Sequence, residues 1–157
     1  MAWCLDTDVE QKLQVMKSGK NHEAEDIIAK IEEAENKIRP ILLVQYDSTI
    51  VDDWTNPDNT PPILKILTAT LAAALILQDY YGHPLKDNGT PGGSLYGTYL
   101  DDIKMIQTGK IQLVDISDQE IATSKNEIYY NGSAMTPHYS MENPEDDNFG
   151  NGSLDNF

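Results

Sequence analysis

A single cysteine, Cys4, stands in a chain of 157 residues. It excludes an intrachain disulfide framework, and no Cys/His spacing fits a structural zinc site. With no cluster of bases around it, the lone thiol reads as a small buried or frayed side chain rather than a reactive one. Bases are scarce as well, 11 Lys and Arg against 26 Asp and Glu, for a formal net charge of -15. Phosphate binding through counterion release needs clustered Lys and Arg, so specific adhesion to DNA or RNA is excluded as an expectation.

The N-terminus lacks a basic region followed by an apolar run, so no secretory signal is expected. The longest apolar stretch, residues 63 to 77, is interrupted by Lys65 and holds three consecutive alanines. It falls short of the roughly 20 residues that span a bilayer and reads as a buried core helix. Asn-x-Ser/Thr sequons at Asn88, Asn131 and Asn151 all sit in Asn-Gly turns, where they carry no functional weight.

Catalytic constellations are missing too. His22, His83 and His138 are far apart and fall at expected helix ends or loops. Asp52-Asp53, Asp101-Asp102 and Asp146-Asp147 place acids side by side instead of at the alternating positions of a calcium loop. The Gly89 to Gly93 stretch lacks the lysine of a phosphate loop. The expectation is a protein that is not an enzyme, with no catalytic residue, no bound metal and no cofactor.

What is present is an uneven division. Residues 1 to 114 carry 17 acids and 10 bases, net -7, while residues 115 to 157 carry 9 acids and 1 base, net -8. The first part has the aliphatic content for one core. The second has turn formers and scattered hydrophobes, too few to offset the entropy of ordering it alone. We therefore expect a helical domain over 1 to 114 and an acidic, extended C-terminal arm over 115 to 157, ordered only on binding a partner.

Periodicity fills in the domain as a mainly α fold, a bundle of about four helices. Thr7 and Glu10 have capping-box spacing ahead of Val9, Leu13 and Met16. A second helix starts near His22 or Glu23, with Ile27, Ile28, Ile31, Ala34 and Ile38 expected on its apolar face. Pro40 leaves residues 41 to 46 as either a kinked continuation or an extended segment. Residues 47 to 60, which include Asp52, Asp53, Trp54 and Asp58, show no apolar period and read as a long loop projecting between helices. Pro61-Pro62 opens a third helix, apolar nearly all round and ended by Gly82; Ser94 caps a fourth that Gly109 stops. Residues 110 to 114 alternate as a short strand-like segment.

Tyr80, Tyr81, Tyr96 and Tyr99 lack the basic groove of a single-strand binding platform and read as packing residues. In the arm, Ile128, Tyr129, Tyr130, Met135, His138, Tyr139, Phe149 and Phe157 are spaced like anchors for a partner's grooves, and Asp-Asn-Phe occurs twice, at 147 to 149 and 155 to 157.

The order of landmarks carries a resemblance. His22-Glu23-Ala24-Glu25-Asp26-Ile27-Ile28 leads a helix; Pro61-Pro62-Ile63-Leu64-Lys65 opens an Ala/Leu helix ending in Tyr80-Tyr81; Tyr99-Leu100-Asp101-Asp102-Ile103 and Ile106-Gln107-Thr108-Gly109-Lys110-Ile111-Gln112-Leu113 follow. This series resembles the head-tail connector, or adaptor, proteins of tailed bacteriophages. Pro40, the 47 to 60 loop and the length of the arm depart from that family's compact form.

The resemblance implies a structural virion protein made in the host bacterial cytoplasm. Its partners would be the portal protein, further copies of itself in a ring, usually of twelve, and a neck, stopper or tail-terminator protein on the far side. DNA would pass through the ring without specific binding, with Asp52, Asp53, Trp54 and Asp58 of the long loop facing the lumen or the tail, and no membrane would be involved. The arm would grip the portal, making its aromatic residues the docking set. The competing reading from composition is an acidic helical binding or regulatory protein whose tail mimics nucleic acid.

Overall fold

In a computed structural model, residues 2 to 15 and 24 to 123 are described. They form a helical bundle in the order α1 (Asp6–Val15), α2 (Ala24–Leu42), α3 (Ser48–Asp53), α4 (Pro62–Tyr81) and α5 (Pro91–Gln107). The mainly α expectation is met, with one helix more than the periodicity suggested. The compact unit runs from Met1 to Ala122, and a second unit takes the remainder of the chain.

The core is organised around α4, against which α1, α2 and α5 all pack. Twelve of its residues are buried, among them Leu64, Leu67, Leu71, Leu75 and the run Ala72, Ala73 and Ala74. Small alanines at the centre let neighbouring helices approach closely while the flanking leucines supply the buried apolar area. Pro62 starts the helix where its missing N–H costs nothing. Gly82 stops it in the left-handed conformation (φ 64°), its N–H donating to the Gln78 carbonyl at 2.7 Å. At 20 residues α4 is long and apolar enough to cross a membrane by length and composition, but 67% of its apolar window is buried inside the unit. The other helices of this chain are its solvent, as a core helix requires.

One polar atom in α4 is out of place. The Thr68 side chain is fully buried and its hydroxyl has no hydrogen-bond partner among the described residues. An unpaired buried hydroxyl costs on the order of 1 to 3 kcal/mol, and valine has nearly the same shape. Thr68→Val is expected to raise the urea midpoint by an amount equivalent to about 1 kcal/mol. A lower midpoint would mean that the hydroxyl is satisfied in solution.

Pro40 lies inside α2, which continues to Leu42, so the choice left open by the sequence resolves as helix followed by a turn. Ile38 and Leu42 are both buried on either side of the proline, whereas Pro40 itself is exposed. Burial of those two neighbours outweighs one lost backbone bond near the solvent-facing end of the helix. The turn then closes with Gln45 and Tyr46 both donating their N–H groups to the Leu42 carbonyl, at 2.8 and 2.9 Å.

Helix starts differ from expectation in their caps. At α1 the Asp8 carboxylate accepts the Leu5 N–H at 2.9 Å, so Asp8 rather than Thr7 and Glu10 closes the first turn. At α5 the cap is Thr90, whose hydroxyl accepts the Gly93 N–H at 3.1 Å, and Ser94 already lies inside the helix. Gly93 is required there by close approach: a Cβ would stand 1.8 Å from the Asp87 carbonyl oxygen.

The strand-like segment is a single antiparallel bridge, Val114 to Glu120, joined by a turn in which Asp118 has positive φ. Leu113 is fully buried and Ile121 nearly so, and the Ile121 N–H donates to the Leu113 carbonyl at 2.9 Å. Residues 115 to 122 thus belong to the compact unit, which ends later than the charge boundary at Asp115. A pair of well-spaced apolar residues and one turn suffice to fold an acidic octapeptide onto the bundle.

Candidate functional site

The region between α2 and α4 is built inward from aromatic residues. Trp54 is 4% exposed and packs edge-on against Trp3 (centroids 6.2 Å apart, 82° between planes) and against Tyr46 (6.4 Å, 63°). The Trp3 indole N–H donates to the Trp54 carbonyl at 2.9 Å. Trp54, grouped with the loop acids as a candidate for the outer face, therefore points into the core. A tryptophan flanked by polar residues carries no signal of which side it faces, and burial of its large apolar ring decides.

The same segment is not a plain loop. Asp47 caps α3 by accepting from the Thr49 N–H at 2.8 Å and the Thr49 hydroxyl at 2.7 Å, and these bonds hold its carboxyl below the usual range. Val51 anchors α3 in the core. Downstream, the Asn56 side chain accepts from the Asp58 N–H at 2.9 Å, and the Asn59 amide donates to the Asp53 carbonyl at 2.6 Å. Thr60, fully buried, donates its hydroxyl to the Asn56 carbonyl at 2.7 Å. These bonds fix a turn that leaves Asp52, Asp53 and Asp58 exposed, with Asp52 paired to Arg39. The geometry displays carboxylates on a hydrogen-bonded support.

Below that support Trp3, Glu32, Glu35, Asn36 and Arg39 line a small cavity of about 190 Å³. Glu35 is buried and its carboxylate accepts the Trp3 backbone N–H. Burial pushes its carboxyl up, opposed by the Trp3 N–H, the terminal ammonium and Arg39, and reinforced by Glu32. Because the folded-state value is raised, the folded chain binds this proton more readily than the unfolded chain. Its contribution to stability is present at acid pH and lost as pH rises through the raised value. Glu35→Gln keeps an acceptor for Trp3 without the charge, so the variant should be at least as stable as wild type at neutral pH and should gain less on acidification. Thermal melts of both proteins between about pH 7 and about pH 5 check this, starting above the ordinary glutamate range near 4.3. An equal pH dependence in the two would assign the slope to other carboxylates, and Glu33 acts in the opposite direction, since Lys30 and Lys37 lower its value.

Cys4 is also buried, and its thiol is pushed up to about 12, first by desolvation and then by Asp8, Glu35 and Asp6. It stays protonated and inert at neutral pH. At the far end of α4, Tyr81 stacks on His83 (6.4 Å, 14°) in an exposed position. Tyr96 and Tyr99 meet at 5.7 Å, Tyr99 being buried in the core as its spacing suggested. No group of three His, Cys, Asp or Glu side chains that could hold a metal occurs among the described residues.

The arm candidates Ile128, Tyr129, Tyr130, Met135, His138, Tyr139, Phe149 and Phe157 lie outside the described residues, as does His22. Sequence reading missed the Trp3, Tyr46 and Trp54 cluster and the buried Glu35. Their only early signal was the rarity of the residue type: both tryptophans of the chain meet at one point, 51 positions apart. Comparison with protein-family models, with curated proteins and with solved structures returns no match.

Proposed function

We propose that the chain is a head-tail adaptor of a tailed bacteriophage, a non-enzymatic ring subunit that extends the portal channel and joins the head to a neck or tail protein. One observation carries this reading: three landmarks of the resemblance coincide with helix boundaries of one compact unit. Pro61-Pro62 opens α4, Tyr80-Tyr81 closes it, and Gly109 follows the end of α5 in the left-handed conformation before Leu113 returns to the core.

The charge agrees on physical grounds. A wall of carboxylates repels passing DNA over roughly a Debye length, about 8 Å at physiological salt. Asp53 and Asp58, exposed on a hydrogen-bonded support, and Asp52 beside them are the residues assigned to that wall or to the distal neighbour. The arm is assigned to the portal.

The test is co-assembly of the purified chain with the portal from the same genome, viewed by electron microscopy. A second ring stacked on the portal is the expected image. An intact portal that takes up no adaptor density would turn the assignment to an acidic binding protein with a basic partner, whose affinity should fall steeply with salt.

A further inference from the structure

A groove between α2 and α4 has an unusual lining for so acidic a surface. Ala29, Ile76 and Tyr80 form its apolar part, Asp26 and Asp79 its acidic rim, and its volume is about 370 Å³. Lys30, the one base present, is committed to Asp79 at 2.7 Å and Glu33 at 2.8 Å. Asp26 makes no ion pair among the described residues. The groove therefore offers an apolar floor and unsatisfied negative charge, which suits an aliphatic side chain followed by a base.

The same chain carries that pattern elsewhere. On α5, Tyr96, Leu100 and Lys104 fall four residues apart, in one stripe along the helix. Leu100 is 45% exposed, and Lys104 is exposed with no ion pair among the described residues, although Asp101 stands beside it. Tyr99, Ile103 and Ile106 take the adjoining side of α5 into the core, against which Tyr96 is also partly packed, so Leu100 and Lys104 form the outward part of the stripe. Both α2 and α5 pack on α4, with no extensive contact between them. Groove and stripe are thus two different patches of one molecule, and the stripe cannot fill its own groove.

We propose that the groove receives the outward face of α5 from a second copy of this chain, with Leu100 on the Ala29, Ile76 and Tyr80 floor and Lys104 against Asp26 and Asp79. Seating a helix stripe of i, i+4 and i+8 residues in an apolar groove is a common mode of recognition. Two unlike patches that meet between copies make a head-to-tail contact, which closes into a ring when the rotation permits. The inference rests on the ring reading above and names the faces that build the ring.

Cysteine pairing tests it on the full chain, alone and with the portal of the same genome. Cys4 is buried and protonated, so it stays silent towards a short bis-maleimide. Asp26→Cys mixed with Lys104→Cys should give a covalent dimer, and the double variant a ladder of higher species. In parallel, Lys104→Glu and Asp26→Lys should each weaken self-association about tenfold, equivalent to about 1.4 kcal/mol, with recovery when the two are combined in one chain. Both positions changed, Asp26 and Lys104, are exposed on helix surface, and folding is checked by a melt of each variant.

If the chain forms rings by light scattering but the mixed cysteines give no dimer and the charge reversals change nothing, the contact is wrong and the ring stands. If only monomers form, with and without the portal, the ring reading falls and this contact with it.

Discussion

Trp54→Ala is expected to lower the stability of the helical unit by about 3 to 5 kcal/mol, the range for removing a large aromatic side chain from a packed core. The ring is 4% exposed and closes a cluster with Trp3 and Tyr46. Its backbone carbonyl also holds the Trp3 indole N–H, so a shift of the chain at position 54 would leave a buried donor without its partner. Trp3 in turn connects, through its backbone N–H, to Glu35 on α2. One substitution therefore loosens the N-terminal segment, α2 and the segment that follows α3 together.

Urea denaturation of wild type, Trp54→Ala, Trp3→Ala and the double variant measures this. The double variant should lose less than the sum of the single losses, by roughly 0.5 to 3 kcal/mol, because the two rings share one contact and one hydrogen bond. A loss below about 1 kcal/mol for Trp54→Ala would mean that the ring is not part of the core in solution, and would return it to the outward-facing set with Asp52, Asp53 and Asp58. That outcome would also remove the rigid support on which those carboxylates are displayed.

This cluster marks where the sequence stops being legible. Helices α2, α4 and α5 were visible in it because their apolar residues repeat at helical spacing and because Pro62, Gly82 and Gly109 punctuate them. The identity of α4 as the central helix followed from its being apolar on all sides, which only burial by several neighbours allows. Helix α3 was not visible. Six residues with one buried valine show no period, and the helix exists because Asp47 caps it and Val51 and Trp54 pin its far side.

The same limit applies to the N-terminus, where Trp3 and Cys4 are buried and Trp3 bonds to residues that lie 32 and 51 positions away. Such tertiary pairings have no local signature. Charge and packing divide the chain at different places: residues 115 to 122 share the acidity of the arm but belong to the compact unit, because a charged residue can occupy a turn while Leu113 and Ile121 do the packing. For the candidate site, the exposed carboxylates Asp52, Asp53 and Asp58 were readable as polar loop residues, while the groove beside Asp26 needed two helices brought together.

The position of that boundary gives the second large effect, because it separates two truncations that composition alone would treat as equivalent. Stopping the chain after Ala122 keeps Leu113, the Val114 to Glu120 bridge and Ile121, so the melting temperature should stay within about 2 °C of the full chain. Stopping after Asp115 removes Ile121 and the N–H that it donates to Leu113, and should cost about 1.5 to 3 kcal/mol, the value of burying one isoleucine. Both lack the aromatic series from Ile128 to Phe157 that we assign to the portal. Both should therefore fail to dock: binding to the portal of the same genome should fall by at least about a hundredfold, equivalent to more than 2.7 kcal/mol. The chain ending at Ala122 isolates the cause, since it alone loses docking with its fold intact. If residues 1 to 122 bind the portal as tightly as the full chain, the grip lies on the helical unit, and residues 123 to 157, with six acids and one base, are left to act on something other than the portal.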